Sequence, residues 1–358
     1  MSTEQKQPTI SEMFRSAFTP EPTKQSNVAI FAHSYPDPDA VGSMLSVSWL
    51  MSKLYGCTCN MFYTGAISHP QNKAVITLLE PNMLELKDYE PDKYDYNVIV
   101  DCVPENAGIP ENTKVDLVID HHVGSPGKDF EGVHINVKTG SCCSIVYSII
   151  DELNLTFDQS KEKDKKIATA MIIGVITDTE HLVSDDTTNL EFKTYSDLFS
   201  FRDSVSLKQI IKFKRPPHWV EKKASAFSDK LIKDGYCVVG LGRLSSDDRD
   251  LIADIADEML TWPNVDTSVA FAIIDGHTIE GCMRSQNASI IVPKLCKDLG
   301  TELGGGGGKL GKGAYRYSMG AFTIEPEDDD SDQKEDLDFI IKKETRRIFK
   351  MVHRSSSK

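Results

Sequence analysis

Short apolar runs alternate with amphipathic stretches from Asn27 onward. Apolar runs that end in polar residues are typical of buried parallel strands, whereas apolar positions spaced three and four apart are typical of helices. The predicted strands are 27–33, 57–64, 96–102 and 114–120, and the predicted helices are 39–54, 141–153 and 166–177. This alternation predicts an α/β fold with a parallel, doubly wound sheet that carries helices on both faces.

The pattern breaks at 201–217, where Pro216 and Pro217 prevent a continuous helix. We interpret this stretch as a linker between a first domain at 27–200 and a smaller α/β domain at 218–325. Predicted helices and strands alternate again in the second domain. The helices are 218–233, 246–260 and 288–299, and the strands are 236–242, 269–275, 278–285 and 317–324.

Both ends of the chain are polar. Residues 1–26 lack the basic start and apolar stretch of a secretory signal, so we expect a flexible leader. The stretch from Glu325 to Asp338 contains nine acidic residues and one lysine. We therefore expect 326–358 to be an acidic linker followed by a basic helical tail, with an amphipathic helix at 335–353.

Charge and composition exclude several classes of protein. A net charge of −14 argues against a protein that wraps long duplex nucleic acid, although a local basic pocket or metal ions could still hold a small anion. No apolar run approaches the roughly 20 residues that span a bilayer. The eight cysteines lack zinc-finger spacing, and a chain of this size needs no disulfides, so we expect reduced thiols and a cytoplasmic location.

Acids and histidines follow the apolar segments at four places. They are His33, Asp37 and Asp39 in HSYPDPD, Asp101 after VIV, Asp120, His121 and His122 in DHH, and Asp178 after GVIT. We interpret each place as the end of a strand. Because the carboxyl ends of parallel strands share one edge of a sheet, these side chains should converge there.

Converging carboxylates repel each other and are costly to desolvate unless a cation neutralises them. Two divalent ions with a bridging carboxylate would do so, and an oxygen-rich set with few imidazoles suits Mn²⁺, or Mg²⁺, better than zinc. Separate helix caps and core histidines are the alternative, but that reading must hold at every segment and leaves the histidines unexplained. Cys102 should point away from Asp101, and Ser43 and Ser141 are interpreted as caps or helix residues rather than nucleophiles.

These motifs resemble those of the DHH phosphoesterase superfamily. HSYPDPDAVGS (33–43) is similar to the first motif, Asp101 to the second, DHH (120–122) to the third and Asp178 in GVITDT to the fourth. The later segment with MRS (283–285) and a glycine run resembles the DHH-associated domain of RecJ-type exonucleases and of the oligoribonuclease–pAp phosphatase group. The resemblance covers about residues 27–324.

The resemblance implies two metal sites that share Asp101. The first set of ligands is His33, Asp37 and Asp101, and the second is Asp39, Asp101, His121 and Asp178. It also implies catalytic roles for Asp120, which would orient a neighbouring histidine, and for His122, which would contact the scissile phosphate or assist proton transfer.

In the second domain the resemblance implies a substrate-binding site. Its residues would be Arg284, Ser285, Gly305, Gly306, Gly307, Gly308 and Lys309. Arginine can hold a phosphate bidentately, and consecutive glycines let backbone N–H groups approach it. Lys309 stands near the position of the family's histidine. A lysine keeps a cation for a phosphate but lacks imidazole chemistry, so this departure bears on which substrate is bound. A solvated arginine and a flexible glycine linker are the structural alternatives.

The leading hypothesis is a two-metal phosphoesterase acting on short oligonucleotides, dinucleotides or pAp. A homodimer is compatible with the sequence, and neither a membrane nor long duplex DNA is expected as a partner. An exopolyphosphatase or pyrophosphatase is the alternative enzyme, but those relatives carry a different, more basic second domain. A non-catalytic nucleotide-binding protein is the third hypothesis. The altered glycine segment favours it, and the intact set of mutually repelling ligands opposes it.

Overall fold

The computed structural model describes residues 7–301, 304–320 and 331–355. The chain divides into two compact units. The first contains residues 1–67 and 71–213, and the second contains residues 68–70 and 214–358.

The first unit is built on a parallel sheet with the strand order β3-β2-β1-β4-β5-β6. The strands are β1 Asn27–Phe31, β2 Thr58–Tyr63, β3 Met83–Glu85, β4 Tyr96–Val100, β5 Leu117–Asp120 and β6 Val133–Asn136. Every neighbouring pair in this sheet is parallel. The chain runs outward in one direction from β1 and in the other from β4, and this reversal creates the crevice in which such sheets bind ligands. The predicted parallel α/β fold is confirmed.

Helices of the first unit pack on one face of this sheet. They are α1 Ile10–Ser16, α2 Pro38–Tyr55, α3 Pro70–Leu79, α4 Cys142–Glu152, α5 Glu162–Asp178, α6 Asn189–Leu198 and α7 Ser204–Ile211. The opposite face buries Phe31 and Phe62 under Tyr89 and Tyr94. The described segments on that face are 3₁₀ turns and loops, so aromatic rings take the place of the helices expected there.

The predicted leader is wrong from Ile10 onward, since α1 forms there. Thr9 and Glu12 close a capping box at its start, and Phe14 and Phe18 are buried in the core of the first unit. The predicted linker is also wrong over α7, because Leu207 and Ile210 belong to the same core. Both helices are short, so neither shows a long apolar repeat in the sequence.

The second unit has a mixed sheet with the order β11-β12-β10-β9-β8-β7. The strands are β7 Leu231–Lys233, β8 Tyr236–Leu244, β9 Thr267–Ile274, β10 Thr278–Ser285, β11 Gly304–Lys309 and β12 Lys312–Ser318. The helices are α8 Pro217–Ser228, α9 Asp250–Leu260, α10 Val292–Gly300 and α11 Ser331–Ser355. Separate apolar clusters form where α8 and α9 pack on one face and α10 and α11 on the other. The second α/β domain is confirmed.

The C-terminal helix is part of this core rather than a tail. Ile348 and Val352 of α11 are buried against the sheet, and the Arg347 guanidinium donates to the Leu299 carbonyl oxygen at 3.1 Å. The helix prediction is confirmed, and the prediction of a tail is wrong for this segment. The acidic linker predicted to begin at 326 falls, up to residue 330, outside the described residues.

None of the helices in the described part of the chain has both the length and the apolar character of a membrane span. The eight cysteines, which all lie in the described ranges, are free thiols, as expected.

Candidate metal centre

The first acidic motif turns the chain from β1 into α2. Asp37 is the N-cap of α2, and its Oδ1 accepts from the backbone N–H groups of Asp39 (2.9 Å) and Ala40 (3.0 Å). Pro38 occupies the first turn, where its missing N–H costs nothing. The cap therefore leaves Asp37 partly exposed at the sheet edge and turns Asp39, which is fully buried, into the protein.

Asp101 lies between two histidines. It follows β4 with a left-handed backbone (φ 61°), a conformation that is uncommon for non-glycine residues and that aspartate adopts more readily than most. Its Oδ2 is 3.6 Å from His33 Nε2, and its Oδ1 is 3.4 Å from His121 Nε2. The carboxylate thus faces one imidazole with each oxygen, which is the arrangement that a bridging ligand requires.

The two histidines of the DHH motif lie in different environments. Asp120 Oδ1 accepts from the backbone N–H of His121 (2.9 Å) and from Nδ1 of His122 (2.8 Å). His121 Nδ1 donates to the Thr139 carbonyl oxygen at 3.0 Å, which directs Nε2 towards Asp101. The His121 side chain is 5% exposed and that of His122 is 37% exposed. His121 therefore lies inside the carboxylate cluster, and His122 lies at its surface.

Asp178 reaches the cluster from the end of the helix predicted at 166–177, and the interpretation of its position as a strand end is wrong. It is the last residue of α5, and its Oδ2 is 3.3 Å from His121 Nε2. Gly174 lets α5 approach α2 closely, because a Cβ there would lie 2.8 Å from Asp39 Oδ1. The helix crosses beside Asp39 and delivers its carboxyl-terminal aspartate to the same edge of the sheet.

The amino terminus of α4 supports Asp39. Asp39 Oδ2 accepts from the Cys142 backbone N–H at 2.6 Å, and Asp39 Oδ1 accepts from the Cys143 backbone N–H at 3.0 Å. Ser141 caps the same helix, as expected, and accepts from the Ser144 N–H at 3.2 Å. The sequence had indicated neither these amides nor the Thr139 carbonyl as parts of the site, because backbone groups leave no signature in residue identity.

Among the described residues, these side chains form three overlapping groups whose ligand atoms lie within 4.8 Å of one another. The groups are His33, Asp37 and Asp101; Asp39, His121 and Asp178; and Asp101, His121 and His122. Each candidate ligand that the sequence predicted therefore lies in at least one of these groups, but Asp101 does not share a group with Asp39 and Asp178 as the predicted second set requires. Cys102 is buried in the aromatic core on the far face of the sheet and belongs to none of them.

Without a bound cation, the close packing of carboxylates and imidazoles shifts the pKa values of several members of the cluster. Burial lowers the pKa of His33, but Asp101 and Asp37 outweigh it and raise the pKa to about 11. Burial also lowers the pKa of His121, but Asp101 and Asp178 outweigh this effect and raise the pKa of His121 to about 11. Burial and the neighbouring Asp101 raise the pKa of Asp39 well above its usual range.

Two buried atoms at the centre have no hydrogen-bond partner among the described residues: Asp101 Oδ1 and His121 Nε2. Unsatisfied buried polar atoms are costly, and these two face each other at 3.4 Å. A divalent cation would satisfy both and would replace the protons on the histidines. The donor set of carboxylates and imidazoles fits such an ion.

In the second unit, the predicted anion-binding residues lie on neighbouring strands. Arg284 on β10 is opposite Lys312 on β12, which is opposite Lys309 on β11, and directly opposed residues share a face. The Arg284 guanidinium donates to Asp257 through Nε (2.6 Å) and Nη2 (3.3 Å). Ser285 Oγ lies 2.8 Å from Thr267 Oγ1. The strand pairing thus places Arg284, Lys312 and Lys309 in a row across the sheet.

The glycine run forms the edge strand β11 and not the predicted loop. It pairs with β12 from Gly304 to Lys309. A Cβ on Gly306 would collide with the Cys296 carbonyl of α10, so tight helix packing explains that glycine. Gly305 and Gly307 have open space where their side chains would be, and packing does not explain them.

Comparison with known proteins points in the same direction. Residues 27–175 match the model of the DHH family, N-terminal domain. An uncharacterized protein of Methanocaldococcus jannaschii is 26% identical over 305 residues, which are 84% of this chain and 60% of that protein. Cyclic-di-AMP phosphodiesterase GdpP of Bacillus subtilis is 25% identical over 308 residues, 76% of this chain and 43% of that protein. The chain thus spans less than two thirds of either relative.

A solved structure resembles the chain along nearly its whole length. It is an exopolyphosphatase-related protein from Bacteroides fragilis, with a TM-score of 0.65 and 16% identity. The match covers 95% of this chain and 97% of that one. At this identity the likeness concerns the fold alone.

Proposed function

We propose, from the match of residues 27–175 to the DHH family, N-terminal domain, that this chain is a two-metal phosphoesterase acting on small nucleotides. The observation that carries the proposal is the position of Asp101, whose two oxygens face His33 and His121 in two different ligand groups. A protein without such ions would have no physical reason to bury these carboxylates together.

Each metal has its own set of ligands in this proposal. His33, Asp37 and Asp101 hold the first ion, and Asp39, Asp101, His121 and Asp178 hold the second. The distances support the whole first set and, in the second set, Asp39, His121 and Asp178. Asp101 joins the second set through His121, whose Nε2 lies 3.4 Å from Asp101 Oδ1. Oxygen-rich ligation favours Mn²⁺, with Mg²⁺ as the second choice.

The chemistry is hydrolysis of a phosphodiester or terminal phosphate bond. Two bound divalent ions would activate a water molecule near neutral pH and neutralise charge on the phosphoryl oxygens. His122 acts on the exposed side of the centre, where its Nδ1 is held by Asp120 and its Nε2 is the ring nitrogen left for the phosphate or the leaving group. Asp120 fixes that ring orientation.

The substrates we propose are short oligonucleotides, dinucleotides and pAp. The cationic row of Arg284, Lys312 and Lys309 supports an anionic ligand, and the open space at Gly305 and Gly307 leaves room for one. Ser285, Gly306 and Gly308 complete the binding segment inferred from the family motifs. The relative GdpP, a cyclic-di-AMP phosphodiesterase, supports a dinucleotide among the candidates.

Hydrolysis of a substrate panel with Mn²⁺ tests the proposal. The panel contains pAp, a linear diadenylate, cyclic di-AMP, a short RNA and polyphosphate. Asp101→Asn removes the bridging charge, and Asp116→Asn is the matched control, because Asp116 is a buried carboxylate of the same sheet outside the ligand groups. We expect turnover of nucleotides that Asp101→Asn loses and Asp116→Asn retains.

The other outcomes separate the alternatives. Turnover of polyphosphate alone would replace the nucleotide proposal with an exopolyphosphatase. Nucleotide binding without turnover of any panel member, in protein loaded with Mn²⁺, would indicate a non-catalytic binding protein.

A further inference from the structure

One short segment, residues 139–143, supports two members of the second ligand group, His121 and Asp39. Its Thr139 carbonyl accepts from His121 Nδ1, and its Cys142 and Cys143 amides donate to Asp39. Gly140 packs against Thr179, the residue after Asp178, since a Cβ at position 140 would lie 2.6 Å from Thr179 Cγ2. Any displacement of the 139–143 segment would therefore move Asp39 and His121 and disturb the surroundings of Asp178.

Glu191 holds this segment from behind. It lies in the first turn of α6 and is fully buried. Its Oε1 accepts from Thr139 Oγ1 at 2.5 Å and from the Gly140 N–H at 3.2 Å. Its Oε2 accepts from the N–H and the hydroxyl of Thr188, both at 2.7 Å. The carboxylate joins the start of α6 to the 139–143 segment.

These contacts exceed what helix capping requires. The chain contains a second capping box, in which Glu12 accepts from the Thr9 N–H at 2.8 Å and stays exposed. Glu191 makes the same local contact through Oε2, but it is buried. Its other oxygen accepts from Thr139 and Gly140, which lie 52 and 51 residues earlier in the sequence. Burying a carboxylate is costly, and no lysine or arginine in the described part of the chain pairs with it. Its hydrogen bonds to Thr139 and Gly140 compensate part of that cost.

We propose that Glu191 is a positioning residue for the metal site formed by Asp39, His121 and Asp178. It touches none of these side chains and acts through the 139–143 segment. The inference rests on the proposed two-metal function. The group of His33, Asp37 and Asp101 depends instead on the N-cap of α2 and the end of β4. Loss of Glu191 should therefore weaken one of the two metals and spare the other.

The test uses the full chain and Mn²⁺ alone. Glu191→Gln keeps the size of the side chain but replaces one accepting oxygen with an NH₂ group that cannot accept. Glu12→Gln is the matched control, since it makes the same change in the other capping box. Thr139→Val is a milder variant that removes only the hydroxyl, so it probes the same contact while keeping Glu191.

Two readouts follow, the calorimetric affinity for each Mn²⁺ and the electron paramagnetic resonance signal of a coupled manganese pair. We expect two ions and a coupled signal in the wild type and in Glu12→Gln. In Glu191→Gln, the second ion should bind about 10- to 100-fold more weakly, the range for lost outer-shell support, and the signal should become that of isolated Mn²⁺. Thr139→Val should shift the same ion by less.

Each remaining result has a definite meaning. A wild type without a manganese pair would reject the proposed function, and the role of Glu191 with it. A wild type with the pair, and unchanged second-ion affinity in Glu191→Gln and Thr139→Val, would overturn the role of Glu191 alone. If circular dichroism shows that Glu191→Gln does not fold, Thr139→Val decides, and an unchanged second affinity there overturns the inference.

Discussion

The candidate metal centre of the first unit and the cationic row of the second unit differ in how they accommodate charge. In the first unit, several carboxylates are buried together, and Asp39 and Asp101 are almost fully inaccessible to solvent. In the second unit the cations lie on strand surfaces, where Lys309 and Lys312 are exposed and Arg284 is paired with Asp257.

This difference follows from solvation. Water screens the exposed lysines, and Asp257 neutralises the more buried Arg284, so the row of cations is tolerated without a ligand. A buried cluster of carboxylates has no such screening, and the protein must supply protons or metal ions. The first region is therefore expected to control the reaction and to respond strongly to pH and metals, whereas the second is expected to control affinity and to respond to salt.

The largest expected effect is at Asp178. Asp178→Asn removes one ligand charge from the second group while keeping the helix end, and it should abolish Mn²⁺-dependent turnover and weaken the second ion by about two orders of magnitude or more. The metal-free variant should melt at a higher temperature than the wild type, because burial and Asp37 and Asp101 hold the Asp178 pKa above its usual value. Calorimetry and thermal unfolding measure both.

Asp151→Asn is the control for this variant, since Asp151 is an exposed residue in the last turn of α4. Retained turnover or unchanged affinity for the second ion in Asp178→Asn would remove Asp178 from the ligand set.

An intermediate effect is expected from pH. In the metal-free protein the pKa values of His33 and His121 are about 11, so both rings are protonated at neutral pH. A metal ligand must be a neutral imidazole, and binding therefore releases protons. The affinity for Mn²⁺ should rise with pH, by about tenfold per pH unit for each proton released.

Titrations in buffers of different ionisation enthalpy count these protons. We expect up to two protons per Mn²⁺ pair from the histidines near pH 7. An affinity that does not change between pH 6 and 9 would contradict the placement of these rings in the metal centre.

The smallest effect is expected in the second unit. Arg284→Ala should raise KM about tenfold, or about 1.4 kcal/mol of binding free energy, with kcat nearly unchanged, because a contact that binds the ground state and the transition state equally changes KM alone. The loss should shrink at high salt. Steady-state kinetics at two salt concentrations measures it.

Asp257→Asn is a useful companion variant, since it loosens the Arg284 guanidinium without removing its charge and should raise KM by less. A fall in kcat with constant KM in Arg284→Ala would instead assign Arg284 to the reaction itself.

The sequence alone determined the fold class and the identity of the metal-ligand candidates. Hydrophobic periodicity is a local property, so the strands before His33, Asp101 and Asp120 could be located without the structure. The strand-end rule then placed those residues at one edge of the sheet. The same rule failed for Asp178, which reaches that edge from the end of α5.

Only the tertiary structure decided which groups support the ligands and which segments join the cores. Glu191 meets Thr139 across 52 residues, and the amides of α4 meet Asp39 across more than 100. The glycine run became a strand because β12 and α10 pack against it, and α11 became part of a core because its apolar face is covered by the sheet. Such contacts depend on how distant segments pack, and neither local periodicity nor residue spacing encodes that packing.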